Sequence, residues 1–464
     1  MSAQASEPLI IDEELLRRFG GRGPRYTSYP TADRFDDRVG AERYGQALSA
    51  RAGRRGEPLG LYVHIPFCRS ICYYCGCNKI GTRHVEQSTP YLAALEREVA
   101  MVTALTGRGQ AISHLHFGGG TPTFMPDAEL GALIDMLRRA FDFRDDGEYS
   151  IEIDPRTVSP QRVRTLRSMG LNRVSLGVQD FDPVVQAAVN RIQPYEQTLE
   201  LIEAARDAGF RSINVDLIYG LPKQHHAGFE ETLRKTIAAA PGRIALYHYA
   251  HLPALFKPQR RIAEADLPSS EEKARMFQTA VAMFARAGYR HLGLDHFALE
   301  DDELSVAQRE GRLHRNFQGY CSHDAGDLIA LGVSSISSVG DVYAQNDKLL
   351  DGYYRRIERG ELPAVRGIVL DADDFVRRDA INALMSEFRL DWAELDARRG
   401  IDSRRWLAES IEALAPLADA GVVRVDERGV EVTPRGRLLV RAVAMAFDRH
   451  LARSSSGASY SRIA

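Results

Sequence analysis

From residue 61 onward, short runs of apolar and β-branched residues alternate with longer stretches in which apolar positions recur every three to four residues. The short runs predict strands at 61–65, 113–117, 149–153, 173–178, 212–218, 244–249 and 291–294. The longer ones predict helices at 91–105, 127–141, 160–169, 194–208, 230–239 and 270–287. Ser269 and Ser270 followed by Glu271 and Glu272 mark the last start with a cap and an acidic first turn. Strand and helix in strict alternation is the pattern of parallel βα units, which places the chain in the α/β class. Polar residues gather at one end of these strands. Four cysteines follow the first strand and Gly118-Gly119-Gly120-Thr121 the second. Glu152 and Asp154 end the third, Gln179 and Asp180 the fourth, and Asp216 the fifth, before Tyr219-Gly220-Leu221-Pro222. Tyr249-Ala250-His251 ends the sixth and Asp295-His296 the seventh. Parallel βα barrels build their sites from the carboxyl ends of strands, so this register predicts a site at the mouth of a full or partial barrel.

The flanks follow other patterns. Residues 1–55 read as an arm, with a short helix at 12–19 and then PRYTSYPTA at 24–32, equally suited to an extended linker or to a strap over a site. Beyond 370, charged helices at 373–387 and 406–420 lead to a hairpin: 422–425, a DERG turn and 430–432, with a helix from 434. Helices with such a wing resemble a winged-helix module. Asp426 and Glu427 sit in the wing beside its arginines, which favours a packing or lid domain over DNA binding. The expected division is an arm at 1–55, a barrel at 56–365 and a mainly helical domain at 366–464 that covers the active site. No internal repeat is visible, and the Ser-rich stretch at 454–459 is the one low-complexity segment.

Composition narrows the class. The 464 residues exceed one ordinary core, and 44% hydrophobic with 27% charged residues is the balance of a soluble globular protein. The amino-terminal stretch lacks the basic and apolar regions of a secretory signal, and no apolar run is long enough to span a bilayer. Of 5 cysteines, Cys321 stands apart from the other four, which is no disulfide framework; a cytoplasmic protein is expected. A net charge of −3 supplies no field for nucleic acid.

The chemistry centres on GLYVHIPFCRSICYYCGCNKIG, residues 60–81. Cys68, Cys72 and Cys75 are spaced C-x3-C-x2-C, and Cys77 follows. Thiolates this close are soft ligands for zinc or an iron–sulfur cluster. Structural zinc takes two ligand pairs with a longer spacer, and no second pair follows. Three ligands can hold three irons of a [4Fe–4S] cube and leave the fourth open. Gly118, Gly119 and Gly120 can bring bare backbone to a ligand. Glu152 could anchor an amine or a ribose hydroxyl, and Arg191 could pair with a carboxylate in a bidentate fork.

C-x3-C-x2-C resembles the signature of radical S-adenosylmethionine enzymes. The resemblance implies that the open iron is chelated by S-adenosylmethionine, which one electron cleaves to a 5′-deoxyadenosyl radical. LYVHIPFC, CYYCGCNKI, HFGGGTPT, SIEIDPR, GVQDF, NVDLIYGLP, YAHLP, DHFA, HRNFQGY and YAQN carry the likeness further. Together they resemble the oxygen-independent coproporphyrinogen III oxidases, from PRYTSYPTA to the last helix. That likeness implies a partial (β/α)6-type radical SAM barrel with an N-terminal arm and a mainly helical, winged-helix-like C-terminal domain. It implies one [4Fe–4S] cluster on Cys68, Cys72 and Cys75. Tyr62, Tyr74, Gly119, Glu152 and Ile336 match positions around a first S-adenosylmethionine; some relatives have phenylalanine in place of Tyr74. Gly120, Thr121, Gln179, Arg191, Asp216 and Ala250 match positions around a second. Cys77 matches a cysteine needed for activity without ligating iron.

The implied reaction converts two propionates of coproporphyrinogen III to vinyl groups. The radical takes a hydrogen β to the ring, and the substrate then loses carbon dioxide and one electron. The implied partners are this porphyrinogen and a reduced electron donor such as flavodoxin or ferredoxin, with neither nucleic acid nor membrane, in a monomer. Arg25, Lys79, Arg83, Lys257 and Arg315 are candidates to hold propionates. Haem chaperones resemble these oxidases but lack the fourth cysteine and the PRYTSYPTA arm, both present here.

Overall fold

The computed structural model describes residues 9–317, 319–322, 326–451 and 460. The Ser-rich stretch at 454–459 lies outside them. The chain forms two compact units, each built from separate stretches. One contains 36–283 and 325–369; the other contains 1–35, 284–324 and 370–464. The linear reading drew its boundaries at 55 and 365, whereas the first unit takes in the helix Ala41–Arg51 and the second takes in 284–324.

In the first unit, strands β1 (Leu59–Ile65), β2 (Ala111–Gly119), β3 (Asp142–Ile153), β4 (Arg173–Gln179), β5 (Ser212–Tyr219) and β6 (Arg243–His248) pair in chain order, all parallel. Between them run α1 (Ser88–Thr106), α2 (Asp127–Ala140), α3 (Pro160–Ser168), α4 (Tyr195–Asp207) and α5 (His226–Ala238). Local chemistry starts the helices where expected. Ser159 accepts from Arg162 N with Pro160 in the first turn of α3. Helix α2 turns Leu130, Leu133, Ile134 and Leu137 inward at helical spacing. Strand β1 is buried at every position but Tyr62, the near-continuous burial of a parallel strand covered on both faces.

The other side of β1 was not foreseen. Strand β7 (Asp327–Leu331) pairs parallel with β1, and β8 (Ile336–Val339), β9 (Val342–Asn346) and β10 (Ala364–Val369) continue antiparallel beyond it. The unit's strand order is β10-β9-β8-β7-β1-β2-β3-β4-β5-β6, six βα strands with an antiparallel flank. The predicted seventh strand is not of this series. Tyr289–Gly293 belongs to the second unit and pairs antiparallel with His296–Leu299, because only the two residues Leu294 and Asp295 separate them.

The second unit is mainly helical, with a large apolar core and a smaller apolar cluster around Leu292, Ala298 and Leu304. Helix Ala372–Glu387 opens with a capping box between Asp371 and Asp374. A three-stranded sheet of Arg389–Asp391, Gly429–Val432 and Val423–Val425 forms the wing. The helix expected at 406–420 is broken into Ser403–Trp406, Ala408–Ala413 and Ala415–Asp419, the last with Pro416 in its first turn, where a missing N–H costs nothing. The helix expected from 434 is a 3-10 turn, Arg437–Leu439, and then Val440–Met445. The two tyrosines of PRYTSYPTA are core residues of this unit. Tyr26 and Tyr29 are each 1% exposed; Tyr26 Oη donates to Asp448 (3.0 Å), and the Tyr29 ring lies 5.7 Å from that of His450.

Candidate active site

Alternation along the parallel strands carries one polar row per turn of the pleat. Strand register places Tyr62 beside His116, His116 beside Ser150, Glu152 beside Ser175, Ser175 beside Asn214 and Gly177 beside Asp216. Hydrogen bonds join this face. His116 Nε2 lies 3.1 Å from Glu152 Oε1 and Nδ1 2.6 Å from Ser150 Oγ. Asp216 accepts from Ser175 Oγ (3.1 Å) and Asn214 Nδ2 (2.8 Å). Burial, with Glu152 nearby, pushes the Asp216 carboxyl up to about 6. Tyr62 stacks on His116 at 5.8 Å and 12°. Its hydroxyl meets His64 Nδ1 at 3.1 Å, while His64 Nε2 faces the carbonyl of Asn78 at 3.0 Å. A carbonyl only accepts, so Nε2 carries the proton and Nδ1 receives the tyrosine hydroxyl. Burial holds His64 below its ordinary value, in the neutral form.

The glycines after β2 are required by crowding. A Cβ on Gly120 would stand 2.5 Å from the carbonyl oxygen of Pro66, and one on Gly119, at φ +120°, 2.8 Å from that of Ile65. The Gly120 amide donates to Ile65 O at 2.8 Å, locking this strip against the start of the cysteine loop. Thr121 Oγ1 then reaches Cys68 Sγ at 3.5 Å.

The loop itself is tied down at many points. Thr82 N donates to Cys68 O, Tyr73 N to Val189 O, and Cys75 N to Cys72 O. Cys68 and Cys72 are buried, Cys75 half-buried and Cys77 exposed; all five cysteines are free thiols. Burial pushes the Cys68 thiol up to about 11. A hydrogen bond from Cys77 brings Cys75 down to about 6, against burial and with help from Lys79, and pushes Cys77 up. Cys72 Sγ accepts from Arg156 Nη2 and Arg191 Nη1, both at 3.4 Å. Arg191 also faces Asp154 (3.3 Å) and donates to Gly177 O. Burial opposes the charge on Asp154, but Arg191 and Arg156 outweigh it and hold the carboxyl below its ordinary value.

The remaining predicted residues distribute as follows. Gln179 ends β4 at φ +69°, 9% exposed, and its Oε1 has no hydrogen-bond partner among the described residues. Tyr74 packs on the apolar group of Val185, Val189, Ile218 and Tyr249, and its carbonyl accepts from Gln259 Nε2. Ala250 follows β6, and Ile336 opens β8 opposite Gln345. Of the five candidate cations, Lys79 is spent on the carbonyls of Cys75 and Cys77 (3.1 Å each), and Arg25 pairs with Asp295. Arg315, 4% exposed, lies over the Tyr320 ring at 4.7 Å, with Nε and Nη1 unpartnered among the described residues.

His116, Ser150, Ser175, Asn214 and Arg156 were missed. A signal existed for four of them: polar residues at period two, H-x-H, S-x-E, S-x-G-x-Q and N-x-D, inside otherwise apolar strands.

This donor set suits an iron–sulfur cluster. Among the described residues no three His, Cys, Asp or Glu side chains surround a single-ion position. A cubane asks for something else, one thiolate per iron, and three are offered on one anchored loop. Gln179 leaves an acceptor unspent among the described residues, which suits a ligand with amino or hydroxyl groups.

Residues 62–236 match the Radical SAM superfamily and residues 370–439 the HemN C-terminal domain. The fold and the site thus define a radical SAM enzyme, whose superfamily implies a [4Fe–4S] cluster and S-adenosylmethionine. The oxygen-independent coproporphyrinogen III oxidase of Pseudomonas aeruginosa is 48% identical over 443 residues, covering 95% of this chain and 96% of that one. That of Escherichia coli K12 is 46% identical over 452 residues, covering 97% and 98%. The solved structure of coproporphyrinogen III oxidase (HemN) from Escherichia coli superposes with a TM-score of 0.90 at 46% identity, over 96% of this chain and 100% of that one. The chain belongs to the family of oxygen-independent coproporphyrinogen III oxidases. Among the described residues no helix is long and apolar enough to cross a membrane.

Proposed function

We propose that this enzyme converts two propionates of coproporphyrinogen III to vinyl groups without oxygen, giving protoporphyrinogen IX, with one cluster and two molecules of S-adenosylmethionine. Likeness to named oxidases over nearly the whole of both chains is the observation that carries this reading. When bound, cluster and S-adenosylmethionine supply a hydrogen-abstracting radical; the protein supplies position and charge.

Cys68, Cys72 and Cys75 are the cluster ligands. Tyr62, Tyr74, Gly119, Glu152 and Ile336 hold the first S-adenosylmethionine: Glu152, kept in place by His116, receives polar groups of the cofactor. Gly120, Thr121, Gln179, Arg191, Asp216 and Ala250 hold the second. The unspent acceptor of Gln179 and the carboxyl of Asp216 on neighbouring strands support this set, since two decarboxylations consume two radical equivalents. Cys77, exposed and beyond the three ligands, is free for hydrogen or proton transfer. At the substrate, a carbon β to the ring loses hydrogen, then carbon dioxide and one electron, which a separate acceptor takes. The reductant is a flavodoxin- or ferredoxin-type donor; the enzyme acts as a monomer in the reducing cytoplasm, which suits cysteines that form no disulfide.

The test is anaerobic reconstitution with iron and sulfide, then product analysis with coproporphyrinogen III and reductant. Vinyl product is expected from the intact enzyme, and a cluster without product from Cys77→Ser. Stoichiometric haem binding with no vinyl product under any reductant would overturn the reading in favour of a haem chaperone.

A further inference from the structure

Cys72 differs from the other two ligand cysteines in receiving two guanidinium groups. Arg191 comes from the turn before α4 and Arg156 from the 3-10 turn Pro155–Thr157 that follows β3; each places an N–H 3.4 Å from the sulfur. Arg156 has no part in either cofactor set, yet it is held at every donor. Asp154 accepts from its Nε (3.0 Å) and Nη2 (2.7 Å), and Asn190 O accepts from its Nη1 (3.1 Å). Asn190, at φ +56°, donates in turn to Ser70 Oγ (3.2 Å) and Ile71 O (2.9 Å). The Arg156 side chain is 15% exposed and that of Asp154 11%. Two positive groups and one negative group therefore face one sulfur, a net positive surrounding with little water to screen it.

We propose that Arg156 is a positioning residue that aims Cys72 at its iron and, together with Arg191, raises the reduction potential of the cluster. Hydrogen bonds to cluster sulfurs and nearby charge are among the levers that set such potentials. An N–H group on a ligating thiolate draws electron density from it, so an added electron is better tolerated. The charged guanidinium does the same through space. Asp154 fixes the guanidinium, so that its orientation survives without the substrate. This inference rests on the reading that Cys72 ligates the cluster.

The test uses full-length protein reconstituted under nitrogen, with iron and labile sulfide counted and the reduced cluster followed by electron paramagnetic resonance in a mediated redox titration. Arg156→Gln is expected to keep its cluster and shift to a more negative midpoint, so that at the wild-type midpoint the ratio of reduced to oxidised cluster falls about tenfold, the worth of one charged hydrogen bond. Arg156→Lys, with the charge but not the fork, is expected between the two. Full clusters with the wild-type midpoint in both variants overturn the proposal. So does loss of the cluster from both while circular dichroism shows the fold retained, for Arg156 then only secures the loop. Should Arg156→Gln fail to fold, Arg156→Lys decides alone, and an unshifted midpoint counts against the proposal. Wild-type protein that binds no cluster at all would instead remove the proposed function.

Discussion

Two buried polar clusters in the same unit are built on opposite plans. Behind β1, Glu98 on α1 is 2% exposed, and the protein itself satisfies it: Gly332 N (2.8 Å), Tyr353 Oη (2.7 Å) and Asn346 Nδ2 (2.8 Å) all donate to it. Asn346 also donates to Gly332 O and Ser335 Oγ, and Tyr91 Oη to His64 O, so the turn into β8 is closed on every side. At the strand ends, Gln179 keeps an unspent acceptor, and Asp216 receives only two side chains of its own sheet face. A closed cluster stabilises the fold; an open one holds capacity for a ligand, at the cost of incomplete satisfaction now.

Removing a cluster ligand should break the open side most completely. Cys72→Ala is expected to lose the [4Fe–4S] absorption and the iron, as are Cys68→Ala and Cys75→Ala. A normal cluster in Cys72→Ala would show that the ligand assignment is wrong.

Asp216→Ala should spare the cluster and lower bound S-adenosylmethionine from two per chain to one, read by equilibrium dialysis. Its unfolding free energy should change by less than ~1 kcal/mol, since the side chain's partners face the open site. A stoichiometry of one in the intact enzyme would remove the second cofactor site.

The closed side should respond the other way. Glu98→Ala strands three buried donors and should cost about 3 kcal/mol in denaturant unfolding of the apoprotein. A loss below ~1 kcal/mol would mean that the network is not the brace described.

The two plans share the direction of their pH response. Burial raises Glu98 to about 7 from 4.5 and Asp216 to about 6 from 3.8. For a carboxyl raised on folding, the unfolded chain releases its proton first. The stability it contributes is full below the unfolded value and is lost as pH climbs through the folded one. Glu98→Gln cannot titrate, so the gap between wild type and variant should move by about 3 kcal/mol in the variant's favour between pH 4.5 and 7. Parallel curves would show that Glu98 ionises at an ordinary pH. The smallest effect belongs to Cys321→Ala, far from the loop in sequence: an unchanged cluster spectrum is expected.

The sequence displayed the six βα strands and the mouth they share because parallel strands announce themselves by apolar runs and loops by their glycines and charges. It displayed the grouping of four cysteines by spacing alone. Strand β7 was hidden for a different reason. Its partner β1 lies far away in the chain, and nothing local in Asp327–Leu331 says which edge it joins. The hairpin after Tyr289 passed for one more parallel strand because strand propensity carries no direction. Arg156 was invisible because its meaning lies in a sulfur 84 residues away. The tyrosines of PRYTSYPTA read as part of a linker or of a strap over a site, although their rings lie in a core completed near the far end of the chain.

That last pairing has a consequence for biosynthesis. Tyr26 and its acceptor Asp448 are separated by 422 residues. At ribosomal rates of about 5–20 residues per second, the arm is exposed for about 20–80 s before its partner is made. A segment made early is thus among the last to find its place. During that interval two large aromatic side chains are open to chaperones, and a protein truncated shortly before Asp448 would carry them uncovered, marked for quality control even with every residue of the cysteine loop intact.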